Sequence, residues 1–155
     1  MKKEDKTSQK VMLSLAAGIV GSTVLTLIHE SVRRVNPDAP RMDILGMRAI
    51  AKTMRSLGTE PPEEDTLFGI TMANDLVGNG LYYSLVGTGK NVWLRGAILG
   101  LAAGVGGVVL PGPMGLGEAP SNRTPQTQAM TVAWYLAGGL AAAAASKLLK
   151  KSFLK

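Results

Sequence analysis

Four stretches of this chain are long and apolar enough to cross a bilayer, and nothing else in the sequence constrains the fold as strongly. Residues 11–28 carry no charged side chain. At about 1.5 Å per residue, a helix of that length reaches roughly 27 Å, close to the hydrocarbon thickness of a bilayer. Residues 67–86 follow, broken only by Asp75, and residues 96–110 are again free of charge. Residues 129–145 are almost entirely Ala, Gly, Val, Leu and aromatic side chains. The expectation is an all-α integral membrane four-helix bundle, with spans near 11–28, 67–86, 94–110 and 126–146. Four spans use most of a 155-residue chain. Residues 11–149 then form one membrane domain between a charged tail, 1–10, and a Lys-rich tail, 150–155.

Composition narrows the function classes. The absence of cysteine excludes disulfides, thiol redox chemistry and Cys-ligated metals. A net charge of +6 would suit nucleic acid, but the cations flank the apolar runs. That placement fits membrane anchoring and anionic headgroups, and no nucleic-acid partner is expected. The mean hydropathy of only +0.16 reflects the polar first loop and the Lys-rich ends. Lys2, Lys3, Lys6 and Lys10 before the first run resemble the basic region of a signal peptide. No small-x-small cleavage site follows; His29-Glu30-Ser31-Val32-Arg33-Arg34 comes next, which predicts an uncleaved anchor.

Orientation follows from the distribution of Lys and Arg. Placing both termini in the cytoplasm puts ten of the seventeen cations inside, in the two tails, at Lys147 and in the 87–95 turn. The first loop and the 111–123 connector hold the rest.

The first loop contains a second helical pattern over residues 41–57. On a helical wheel, Arg41, Arg48, Lys52 and Arg55 fall within a sector about 60° wide, opposite Met47, Ile50, Met54 and Leu57. Such a helix suits the headgroup plane, as an amphipathic interfacial element binding anionic lipids, or it packs its apolar side on the bundle. Gly58 can end it. The acidic connector Glu60-Pro61-Pro62-Glu63-Glu64-Asp65 suits the start of the second span, and Thr124-Pro125 the start of the fourth.

Gly96, Gly100 and Gly104 recur every four residues in the third span, spacing that lets helix backbones approach closely. This predicts a packing face, within the bundle or against another subunit. In the second span Thr71, Asp75, Asn79 and Tyr82 share one side, with Asn74 adjacent. A carboxylate at that depth costs on the order of 3 kcal/mol, so it should face protein or water. No cation lies at matching depth, and the first span offers only Ser22 and Thr23 there. Asp75 is therefore a polar clasp between helices, a titrating group on a proton or ion pathway, or a contact with another subunit.

Catalytic motifs are lacking. His29-Glu30 does not extend to HExxH, because Arg33 stands where a second His would be needed. Glu30 should instead pair with Arg33 or Arg34. Gly87-Thr88-Gly89-Lys90 is too short for a phosphate loop. No enzyme activity, cofactor or metal is expected.

Gly80-Leu81-Tyr82-Tyr83, the Arg95-Gly96 start of the Gly-rich third span, and Leu110-Pro111-Gly112-Pro113 at its exit form a recognisable layout. It resembles that of uncharacterised small four-span bacterial inner-membrane proteins. The resemblance covers roughly residues 70–145 and implies an inner-membrane location, with no activity and no site. Two functions follow from the residues. One is a structural or accessory subunit, working by helix–helix association as a homo-oligomer or within a larger membrane complex. The other is a small proton- or ion-coupled transporter or channel using Asp75.

Overall fold

Six helices account for most of residues 2–153, the part of the chain that the computed structural model describes, with side chains from residue 6 onward. They are α1 (Lys2–Val32), α2 (Met42–Ser56), α3 (Glu64–Ser84), α4 (Val92–Val109), α5 (Ala119–Asn122) and α6 (Pro125–Phe153). No strand occurs among the described residues. Three of the helices, α1, α4 and α6, are long and apolar enough to cross a membrane. The fourth expected span corresponds to α3, which is 21 residues long but is not among the helices apolar enough to cross.

Local chemistry explains the boundaries. After α1, the amide of Asp38 donates to Asn36 Oδ1 at 2.9 Å, turning the chain at Pro37. At the end of α2, Gly58 adopts a φ of +76°. The amides of Gly58 and Thr59 then return to the carbonyls of Arg55 and Met54, closing the last turn. α6 opens with Pro125 in its first turn, and Thr124 Oγ1 accepts from the Thr127 amide at 3.1 Å. Two expectations shift. Residues 2–10, expected as a separate tail, continue α1, and α6 runs through the expected tail to Phe153. Met1 and residues 154–155 lie outside the described residues.

The long helices pack in the order α3, α1, α6, α4, while α3 and α4 touch little. Small residues make each contact. Gly18 of α1 lies against the Gly80 carbonyl of α3, and Gly21 faces Gly138 of α6. Gly96, Gly100 and Gly104 meet Gly139, Leu136 and Val132 in turn, so α4 and α6 run antiparallel. A Cβ added at Gly100 would stand 2.6 Å from Leu136 Cα. The interior is accordingly narrow, built around Leu25, Tyr83, Val86, Val92, Ala142 and Ala143. Fully buried Ser22, Thr71, Thr131 and Ser146 bond to main-chain carbonyls. Large apolar side chains such as Ile19, Leu27, Ile98 and Val105 point outward. An apolar exterior over an interior of small residues and bonded hydroxyls is the arrangement that lipid surroundings favour.

α2 is packed on this assembly. Its Gly46 sits against the Thr71 methyl of α3, and a Cβ there would come 3.6 Å from Asp75 Oδ2. Met42 reaches Gly107 of α4. α2 thus spans the gap that opens between α3 and α4, which touch little.

Candidate functional site

That gap is a crevice of about 530 Å³ between α3 and α4. Small residues of α4, Ala102, Ala103, Gly106 and Gly107, leave the room for it. Met42, Leu45, Gly46 and Ala49 of α2 cover it, together with the 110–116 connector. Its polar groups come from one helix face, where Asp75, Asn79 and Tyr82 recur at helical spacing. Tyr135 of α6 also lines it. The Asp75 carboxylate makes no hydrogen bond or ion pair among the described residues. An ionisable group held half-buried and uncommitted at a cleft can take up a proton or a hydrogen-bonding ligand.

Of the five residues expected to form a polar cluster, three converge here. Tyr82 is anchored by its hydroxyl, which donates to the Leu99 carbonyl of α4 at 2.9 Å. Thr71 is buried beneath Gly46 and bonds to Leu67 of its own helix at 2.8 Å. Asn74 points away, exposed on the outer face of α3. Ser22 of α1 lies against the Asp75 main chain, but its hydroxyl donates to the Leu76 carbonyl at 2.8 Å.

Behind Asp75 is a second, narrow and partly closed space of about 20 Å³, bordered by His29, Asp43, Asp75, Asn79 and Tyr135. Asp43 enters it from α2 and is charged there for a visible reason. Arg41 Nη2 approaches Asp43 Oδ2 at 2.7 Å, and Arg33 Nη1 lies 3.7 Å away. Burial alone would raise the Asp43 carboxyl, but the Arg41 hydrogen bond and the two guanidinium charges hold it below the ordinary carboxylate value. Arg33 also grips Glu30 through two bonds of 2.6 and 2.7 Å, with Arg34 at 3.8 Å, and stacks 5.5 Å over the Phe68 ring.

Sequence reasoning dismissed His29 as a metal ligand and did not bring it, Asp43 or Tyr135 to Asp75. The available signal was the register of α1 against α3, which small residues set and hydropathy does not reveal. No group of three or more His, Asp or Glu side chains among the described residues could hold a metal ion.

The cations expected as a headgroup-binding stripe are divided. Arg41 serves Asp43, while Arg48 and Lys52 donate to the Leu116 and Met114 carbonyls at 2.7 and 2.6 Å. Gly115 and Gly117 follow those carbonyls with φ of +69° and +84°. A Cβ at either would stand 2.8 Å from the cation it faces, so glycine lets the connector wrap α2. Arg55 stays exposed.

No protein-family model, curated protein or solved structure matches this chain.

Proposed function

We propose that the chain is a four-span bacterial inner-membrane protein acting as an accessory subunit, pairing α3 of one copy with α3 of another. The exposed face of α3 carries this reading. Asn74, Gly78, Leu81 and Leu85 are all exposed and recur at i, i+4, i+7 and i+11. That spacing is a seam for a second helix. A Cβ at Gly78 would meet nothing within 4 Å, leaving room for close approach. An amide facing lipid is costly, and a second Asn74 across the seam satisfies it.

The absence of native cysteine makes the test direct. A single cysteine at Gly78 or Leu81 should give disulfide-linked dimers when membranes are oxidised, whereas one at Ile98, on the outer face of α4, should not. Asn74→Leu should weaken association about fivefold, the worth of an interhelical hydrogen bond in a bilayer. A monomer at every α3 position would refute the pairing.

Orientation belongs to the same proposal. The antiparallel register puts the lysines of the α1 start and the α6 end on one side, which is assigned to the cytoplasm. In intact cells a membrane-impermeant thiol reagent should label a cysteine at Met114 and spare cysteines at Ser8 and Ser152. The opposite pattern would invert the topology.

A further inference from the structure

We propose that His29 and Asp75 hold one water molecule between them and form a proton-binding pair reached from the α3–α4 crevice. His29 is 8% exposed, and neither ring nitrogen has a hydrogen-bond partner within the protein. The Pro40 carbonyl approaches the ring without meeting hydrogen-bond geometry. A neutral imidazole always carries one donor and one acceptor, and leaving both unmet in the interior is unfavourable. The narrow cavity beside it, about 20 Å³, exceeds the ~10–15 Å³ that one water needs. Its walls supply the two to four polar partners that a buried water requires.

The surroundings single out Asp75 as the other end of the pair. The titratable and charged groups facing His29 are Glu30 from α1, Arg33 just after it, Asp43 from α2, Asp75 from α3 and Tyr135 from α6. Glu30 is held by Arg33, and Asp43 by Arg41 with Arg33 beyond. Asp75 is the carboxylate left without a cation, and it borders both the crevice and the narrow cavity. The ring is steadied from α6, edge-on to Trp134 at 4.8 Å and to Tyr135 at 5.8 Å.

The transfer conserves charge and protons. A proton from crevice water binds the Asp75 carboxylate. The resulting acid gives it to the bridging water, which passes one of its own protons to the unprotonated imidazole nitrogen. Asp75 is then a carboxylate again, His29 is an imidazolium, and one proton has moved from the crevice into the interior. Nothing in this step depends on α3 pairing with a second copy.

His29 is the sole histidine of the chain, so ¹⁵N-histidine labelling of the full-length protein in lipid nanodiscs reports one imidazole. Titration from about pH 3 to about pH 9 runs on both sides of the ordinary imidazole value of ~6.5. The ring should take up a proton within this range. Asp75→Asn keeps the shape of the side chain but removes its charge, and should lower the midpoint by about half a unit, a threefold loss of proton affinity. Asp65→Asn, at the exposed start of α3, should leave it in place. Magnetisation transfer from water to the imidazole N–H in the wild-type protein gives a second readout that needs no variant. Equal midpoints in wild type and Asp75→Asn, a ring that stays neutral throughout in both, or an absence of transfer from water would each overturn the pair.

Discussion

The hydroxyl of Tyr83 donates to the main-chain carbonyl of Tyr135 across 2.7 Å, linking α3 to α6 where α1 otherwise separates them. Tyr83 is completely buried, and Gly138 leaves the space for its ring. Tyr83→Phe keeps the packing and removes the donor. It should cost about 1 kcal/mol, the usual net worth of one such bond. The check is the thermal midpoint in detergent, which should fall by a few degrees; an unchanged midpoint would show the bond to be energetically idle.

Close backbone contact between α4 and α6 makes a sharper prediction. At Gly100 any side chain collides with the main chain of Tyr135 and Leu136, and main chain inside a helix cannot move aside cheaply. Gly100→Leu should destabilise the protein by about 3 kcal/mol or more, at the upper end of overpacking costs. Gly69→Leu is the matched control, since a Cβ there meets nothing within 4 Å. Equal stability of the two variants in a denaturation series would mean that the helices separate without cost.

The Arg41–Asp43–Arg33 network predicts a pH dependence of defined sign. The folded-state pKa of Asp43 is depressed. Its contribution is therefore complete above the unfolded carboxylate value, about 4, and fades as pH falls through the lower folded value. Asp43→Asn should cost about 1–2 kcal/mol near neutrality, discounted because the Arg41 side chain is 38% exposed and solvent screens it. Unfolding of wild type and variant at pH 7 and at about pH 3 should show the gap narrowing in acid. A constant gap would locate the effect in packing.

Much of this protein is decided locally. Runs without charge commit residues to long helices, because such a segment cannot satisfy its main chain in lipid any other way. Pro125, Gly58 and Thr124 mark ends for reasons of φ and missing donors. The four-residue glycine spacing in α4 is equally visible without coordinates, as is the Glu30–Arg33 pair one turn apart.

What meets what is another matter. The partner of the Gly96, Gly100 and Gly104 face is the stretch of α6 around Val132, Leu136 and Gly139, which the four-residue spacing does not specify. Arg48 and Lys52 resembled lipid-facing cations because their acceptors are the main-chain carbonyls of Leu116 and Met114. A carbonyl leaves no mark on a sequence. His29 and Asp75 border one cavity only because antiparallel packing sets α1 against α3. Amino-acid pattern therefore determined which segments are helical and which of their faces are small or polar, since those are properties of a few consecutive residues. The tertiary structure alone decided the crevice and the buried imidazole behind it, because lateral contacts depend on how two helix surfaces of small residues interlock.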